Sequence, residues 1–197
     1  MRLILASGST IRAQLLEQAG VPFEIVRPHV DEEAVRASLK GDGAPLDRVA
    51  EVLAEMKAQR VSNAHHGTLV IGADQLLAFD GEAIGKSADI GEARALLRRL
   101  RGKEHQLIGA TVLVKDGAVI WRHLAVSRLW LRDFSEAFLE DYLAAEGEAA
   151  LSSVGCYRLE GLGAQLFSRI DGDYFAVLGL ALLPLLAALR EHGVIAA

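Results

Sequence analysis

The chain has 197 residues, a formal net charge of -5 and one cysteine, Cys156. This length fits one domain or two tightly joined lobes. The composition, with 51% hydrophobic and 24% charged residues, argues against disorder. A lone cysteine excludes an intramolecular disulfide and zinc sites built on cysteine pairs. The negative charge, together with the absence of any lysine or arginine run longer than two, argues against nucleic acid as a partner. A small phosphorylated ligand needs only a few local cations.

The apolar segments do not predict a membrane protein. The N-terminal run soon reaches Ser7 and Gly8, which is typical of a buried first strand and not of a signal peptide. The uncharged stretch from Phe175 to Leu189 is interrupted by glycine and proline and is too short to span a bilayer core of ~30 Å. We therefore expect a soluble, cytoplasmic protein with no membrane partner.

The first part of the chain predicts an α/β fold. A strand over Leu3–Ala6, a Ser-Gly-Ser turn, an amphipathic helix ending at Gly20 and a strand over Phe23–Val26 follow one another. Helices are expected over residues 31–39 and 47–61. An apolar, β-branched run, residues 68–73, then predicts a central strand that ends at Asp74.

The rest of the chain predicts three hairpins and three helices. Asp80-Gly81 and Asp116-Gly117 each lie between strand patterns and are strong hairpin signals. A third hairpin is expected between residues 164–170 and 174–177. The predicted helices are 91–100, 136–145 with Ser135 as N-cap, and a final helix that begins near Pro184.

The first candidate site is the turn before the first helix. Ser7 and Ser9 offer hydroxyl and backbone donors at a helix N-terminus, and Arg12 can clamp phosphate oxygens bidentately. The same residues also fit an ordinary N-cap serine followed by a surface arginine.

The second candidate is Asp74. Ligands in open α/β sheets bind beyond the carboxyl ends of strands, where a carboxylate can hold a divalent cation or deprotonate a water. The alternative is a turn aspartate.

Three further charged residues are candidates. Glu32, between Asp31 and Glu33, can bind a hard cation or simply favour a helix dipole. Lys57 and Lys86 are either phosphate ligands or solvated lysines.

Taken in order, these segments resemble the Maf family over nearly the whole chain. The matching segments are LASGSTIRAQLL, Val30-Asp31-Glu32, LAEMKA, VIGADQ, DGEAIGK, a helix ending before Gly102 and His105, and GCYRLEGLGAQLFSRIDGDYFAVLGL. The GxSxG elbow, the Walker A loop and the HExxH motif are absent from the sequence, which disfavours the corresponding hydrolase classes.

The resemblance implies a nucleoside triphosphate pyrophosphatase. Such an enzyme hydrolyses the bond between the α and β phosphates and releases a nucleoside monophosphate and pyrophosphate. It implies one Maf/ITPase-like domain over residues 1–197, an elongated mixed sheet flanked by helices, two lobes with a central cleft, and a homodimer. By position, the triphosphate would be held by Ser7, Ser9, Arg12, Lys57 and Lys86. Glu32 and Asp74 would hold Mg²⁺ or Mn²⁺. Asp74 and Lys86 would be catalytic, with Asp74 the base for the attacking water.

Three departures from the common Maf pattern resemble the subgroup that prefers 7-methyl-GTP. They are Ile11 in place of an arginine, Gln75 in place of a threonine, and Glu160 in place of a glutamine. A carboxylate at residue 160 can accept hydrogen bonds from guanine and suits a cationic methylated base. The alternatives are a Maf enzyme preferring dTTP or UTP, an inosine-triphosphate-type hydrolase, and a non-catalytic nucleotide-binding regulator of cell division or septum formation.

Overall fold

The computed structural model describes residues 2–196. Within them the strands are β1 (Leu3–Ala6), β2 (Glu24–Ile25), β3 (Leu69–Phe79), β4 (Glu82–Ile84), β5 (Glu104–Lys115), β6 (Ala118–Leu131) and β7 (Phe167–Asp171). The α-helices are α1 (Thr10–Gln18), α2 (Glu32–Gly41), α3 (Leu46–Ser62), α4 (Ile90–Leu100), α5 (Glu136–Glu146), α6 (Tyr174–Val177) and α7 (Leu182–Glu191). Two 3₁₀ helices cover Gly147–Ser152 and Leu162–Leu166.

The strands form one mixed sheet in the order β2-β1-β3-β5-β6-β7, with β4 paired to β3. β1 pairs in parallel with both β2 and β3, whereas β3 with β4 and β6 with β7 are antiparallel. The predicted α/β class with a mixed sheet flanked by helices is thus confirmed.

The described residues divide into two compact units. Residues 2–75, 109–125 and 173–196 form the first, and residues 76–108 and 126–172 form the second. The core of the first unit contains β1, whose four residues are at most 1% exposed, together with side chains of α1, β3 and α7. A strand covered on both faces reads as a continuous apolar run, which is why Leu3–Ala6 carries no polar residue.

The sequence predicted a strand that ends at Asp74, and this prediction is wrong because β3 continues to Phe79. The ladder changes partner along the way. Its first part pairs in parallel with β1, where the last pair is Ala6 with Gly72, and its last part pairs antiparallel with β4. Asp74 therefore lies inside β3 but beyond the carboxyl end of the neighbouring parallel strand β1.

The predicted hairpins at Asp80-Gly81 and Asp116-Gly117 are confirmed. All four residues have positive φ, from 48° to 78°, as a type I′ turn requires. The third predicted hairpin is wrong, because residues 174–177 form α6 and not a strand. Asp173 Oδ1 accepts a hydrogen bond of 2.8 Å from the Ala176 N–H, so the residue expected in a turn caps a short helix.

The helices agree with the predicted ones to within a few residues. Ser135 caps α5 as expected, accepting a hydrogen bond from the Phe138 N–H. No helix within residues 2–196 is both long and apolar enough to cross a membrane.

Candidate active site

The turn between β1 and α1 is organised around Ser7. This side chain is 5% exposed, and its hydroxyl oxygen accepts a hydrogen bond of 3.1 Å from the Ser9 N–H. Ser9 is the N-cap of α1, so the first backbone N–H groups of the helix lie directly behind the turn. This is the small-residue turn at a helix N-terminus that the sequence predicted, and such a turn can receive an anion.

Arg12 links this turn to two other segments of the same unit. Its Nε donates to the Gly179 carbonyl and its Nη1 to the Ala73 carbonyl, both at 2.8 Å, while Ser7 Oγ lies 3.4 Å from Nη1. Burial lowers the pKa of Arg12, and the negative charges of Asp74 and Glu32 oppose that effect. Arg12 thus holds the turn against the residue that precedes Asp74, while its predicted phosphate contact stays a prediction.

Gly72 explains how α3 approaches β3. A Cβ atom at this position would lie 2.2 Å from the Ala54 carbonyl oxygen and 2.7 Å from Ala58 Cβ. Only glycine lets the helix lie this close to the strand. Lys57 follows Ala54 by about one helical turn, so the same close packing carries its side chain to Asp74, two residues beyond Gly72.

Lys57 and Asp74 form a buried ion pair. The two residues are 7% and 3% exposed, and Lys57 Nζ donates to Asp74 Oδ1 at 2.6 Å. Lys57 Nζ also lies 2.8 Å from Glu32 Oε1, so a single ammonium group contacts both carboxylates that the resemblance assigns to the metal ion.

Glu32 reaches this ammonium from the first turn of α2, a helix capped by the Asp31 carboxylate. Burial would raise the pKa of Glu32, but the hydrogen bond and charge of Lys57, aided by the charges of Arg36 and Arg12, outweigh it and lower that pKa below its ordinary value. Glu32 is therefore ionised at neutral pH.

Arg36 forms one cluster with Glu32, Lys57 and Asp74, the Asp74 cluster, and the sequence did not predict it. Its Nη2 lies 3.3 Å from Glu32 Oε2 and 3.6 Å from Asp74 Oδ2. The spacing of four residues between Glu32 and Arg36 is a signal in the sequence, since such residues are neighbours on a helix surface. The approach to Asp74 depends on how α2 packs, which the spacing alone does not reveal.

The donor set fits a hard divalent cation. Asp74 Oδ2 is buried without a hydrogen-bond partner among residues 2–196, and Glu32 supplies a second carboxylate. No group of three or more His, Cys, Asp or Glu residues in this part of the chain could hold a metal. Magnesium commonly takes one or two carboxylates and completes its shell with waters and substrate phosphates, so two carboxylates suffice.

Two of the three predicted specificity residues lie in the first unit. Ile11 is half-buried on α1. Gln75 Nε2 donates to the carbonyls of Ala176 at 2.8 Å and Val177 at 3.3 Å. These hydrogen bonds connect β3, next to Asp74, with α6.

Lys86 and Glu160 lie in the second unit. Lys86 follows β4, and its neighbour Ser87 accepts a hydrogen bond of 3.1 Å from the buried Cys156 thiol. Arg158 bridges two acids there, with its Nε 3.2 Å from Glu160 Oε1 and its Nη1 3.3 Å from Glu146 Oε2. The roles of Lys86 and Glu160 stay predictions.

The second unit also contains a buried pair that the sequence did not predict. His105 Nε2 and Tyr157 Oη share a hydrogen bond of 2.7 Å, and the two residues are 2% and 4% exposed. Burial lowers the pKa of His105 from 6.5 to about 4, only slightly offset by the charge of Glu104. Neither residue type carries a spacing signal that would have joined them.

Comparison with known proteins places the chain in a family. The family described as Maf-like protein matches residues 2–192. A protein of Paramagnetospirillum magneticum, named nucleoside triphosphate pyrophosphatase, is 53% identical over 190 residues, which are 96% of this chain and 98% of that protein. A Granulibacter bethesdensis protein of the same name is 50% identical over 192 residues, 98% of each chain. A Brucella abortus protein, named 7-methyl-GTP pyrophosphatase, is 46% identical over 192 residues, 98% of this chain and 96% of that protein. The chain belongs to the Maf family.

Proposed function

We infer that this protein is a nucleoside triphosphate pyrophosphatase, which hydrolyses the α–β bond of its substrate to a nucleoside monophosphate and pyrophosphate. One observation carries the inference. Asp74 is buried, one of its carboxylate oxygens is held by Lys57, and the other has no hydrogen-bond partner among the described residues. Family membership and the names of the relatives support the same activity.

Asp74 has the form of a base held in one orientation. Lys57 donates a hydrogen bond to Oδ1, which favours one orientation of the carboxylate and leaves Oδ2 available to accept a proton. In the proposed step a water oxygen bonds to a phosphorus of the α–β anhydride, and the bond from phosphorus to the bridging oxygen breaks. The proton of that water passes to Asp74 Oδ2, and pyrophosphate leaves.

The cations and N–H dipoles of the first unit suit a polyanionic substrate. Lys57, Arg12 and Arg36 lie around the carboxylates, and the Ser7–Ser9 turn presents donors at the start of α1. Fixed positive groups of this kind stabilise charge that develops on phosphate oxygens. Lys86 enters the proposal only through its position in the motif DGEAIGK.

A divalent cation, Mg²⁺ or Mn²⁺, is part of the proposal, with Glu32 and Asp74 as its protein ligands. When bound, such an ion polarises phosphoryl oxygens and offsets their negative charge. Beside the two carboxylates such an ion would also reduce their repulsion of a triphosphate, because like charges repel strongly at a half-buried site.

For the substrate, we propose 7-methyl-GTP or another modified purine nucleotide. Glu160 supports this choice because an ionised carboxylate accepts hydrogen bonds from guanine and attracts a cationic base. Its contact with Arg158 occupies part of this capacity, and a carboxylate has room for further donors. The Brucella relative named for 7-methyl-GTP supports the same choice. We expect the enzyme to act in the cytoplasm on free nucleotides, and the homodimer stays a prediction.

Pyrophosphate release from 7-methyl-GTP, GTP, dTTP, UTP and ITP, with magnesium or manganese, tests the proposal. Asp74→Asn should reduce turnover by at least about a hundredfold, the usual contribution of a general base. The matched control is Asp133→Asn, because the Asp133 side chain is 91% exposed. Turnover of dTTP or UTP alone would keep the activity and reject the modified purine. Nucleotide binding without turnover would favour the regulatory alternative.

A further inference from the structure

Two polar atoms of the Asp74 cluster are buried without hydrogen-bond partners in the described part of the chain, and both belong to one ion pair. They are Asp74 Oδ2 and Arg36 Nε. Arg36 Nη2 lies 3.6 Å from Asp74 Oδ2, which is close enough for charge compensation but too long for a good hydrogen bond. The pair therefore keeps hydrogen-bonding capacity on both sides.

Arg36 and Lys57 differ in how firmly they are held. Lys57 is buried and hydrogen-bonded to Asp74 at 2.6 Å. The Arg36 side chain is 27% exposed and extends from α2, in which every residue is at least partly exposed. A long side chain on a surface helix can change its partner with little change in the backbone. Movement of Lys57 away from Asp74 would instead remove the hydrogen bond and the charge partner of a buried carboxylate.

We propose that Arg36 is the resident counter-ion of Glu32 and Asp74, and that it transfers to a phosphate oxygen when the substrate arrives with its metal ion. This inference rests on the proposed function, because it takes the two carboxylates as metal ligands. A cation at the carboxylates repels Arg36, and a phosphate attracts its planar guanidinium. The metal then supplies the positive charge that Arg36 gave to the two carboxylates, while the phosphate satisfies the donors of Arg36.

The first measurement is Mn²⁺ binding to the substrate-free protein by titration calorimetry. Arg36→Gln should bind Mn²⁺ about tenfold more tightly than the natural protein, because one positive charge near the metal is removed. The control is Arg48→Gln, which removes an exposed arginine that pairs with Glu51 on α3. Arg36→Met, which keeps most of the aliphatic stem, must show the same tightening. This second variant keeps the test valid if the glutamine disturbs folding.

The second measurement is binding of a GTP analogue with a methylene group in place of the α–β bridging oxygen, in the presence of enough Mn²⁺ to saturate each variant. Arg36→Gln should weaken this binding by about tenfold, since a charge-assisted contact to phosphate is lost, and Arg36→Lys should recover part of it. An unchanged or weaker Mn²⁺ affinity in Arg36→Gln, relative to Arg48→Gln, overturns the proposal.

Failure of this inference is distinguishable from failure of the proposed function. Pyrophosphate release by the natural protein, with an unchanged Mn²⁺ affinity in Arg36→Gln, would reject the counter-ion role and keep the enzyme. Tighter Mn²⁺ binding in Arg36→Gln, without turnover of any triphosphate by the natural protein, would support the counter-ion role and reject the enzyme.

Discussion

Lys57 Nζ lies 2.6 Å from Asp74 Oδ1, and both residues are buried. Burying two charges costs free energy that their attraction repays only when the geometry is good, so such a pair is weak evidence for a purely stabilising role. The pair instead places one carboxylate in a defined orientation beside Glu32. We therefore interpret it as part of the active site.

Removing the lysine tests how strongly the two residues depend on each other. Lys57→Met leaves Asp74 buried with only the longer Arg36 contact. We expect the free energy of unfolding to fall by about 3 kcal/mol, the usual cost of an uncompensated buried charge. Urea unfolding at neutral pH measures this change.

The double variant Lys57→Met/Asp74→Asn supplies the control. Because asparagine carries no charge, the double variant should lose less stability than the sum of the two single variants. Additive losses would show that the two side chains do not interact as the structure describes.

Gly72→Ala tests the close approach of α3 to β3. The new Cβ would lie 2.2 Å from the Ala54 carbonyl oxygen, so the helix must move and Lys57 with it. We expect a loss of at least about 2 kcal/mol in the free energy of unfolding and a large loss of pyrophosphate release. Thermal unfolding and the turnover assay measure the two effects.

Gly41→Ala is the matched control for that substitution. Gly41 is the last residue of α2, and a Cβ there would meet no described atom within 4 Å. Alanine is the better helix former, so this variant should be as stable as the natural protein or slightly more stable. Equal losses in both variants would reject the packing argument.

Much of the fold could be predicted because local signals and tertiary structure agree. The apolar run Leu3–Ala6 is buried on both faces, and the two Asp-Gly pairs turn the chain as their positive φ values require. Asp74 and Asp173 show where prediction failed. Asp74 lies inside a strand because β3 changes partner after β1 ends, and Asp173 caps a helix where turn chemistry also fits.

The candidate site could be predicted as single residues but not as a network. Motif positions selected Ser7, Glu32, Lys57 and Asp74, which the structure brings together in one unit. Arg36 was missed because its contact with Asp74 depends on the packing of α2. The spacing of residues within a helix carries no information about the strand that the helix meets.

His105 should make stability depend on pH. In the folded protein its pKa is lowered from 6.5 to about 4 by burial. The unfolded chain binds this proton as the pH falls below 6.5, whereas the folded chain binds it only near pH 4. The stability of the fold is therefore full above pH 6.5 and decreases as the pH falls toward 4. The loss amounts to about 3 kcal/mol.

His105→Gln should remove this part of the pH dependence. Urea unfolding at several pH values between 4 and 7 measures the difference from the natural protein. His66→Gln is the control, because the His66 side chain is 83% exposed. The prediction is wrong if the stability of His105→Gln falls as steeply with acid as that of the control.

Glu160→Gln tests the proposed recognition of the base. The amide keeps the size of the side chain and one acceptor but loses the negative charge that suits a methylated, cationic guanine. The ratio of kcat/KM for 7-methyl-GTP to that for GTP should fall by about tenfold, with pyrophosphate release from GTP largely retained. Arg158 keeps Glu146 as its partner in this variant, so the local ion pair is not abolished. Glu148→Gln, which changes an exposed glutamate, serves as the control.

An unaltered ratio in Glu160→Gln would count against recognition of the base by this carboxylate. A general loss of turnover on every nucleotide would indicate that Glu160 stabilises the second unit and does not contact the base.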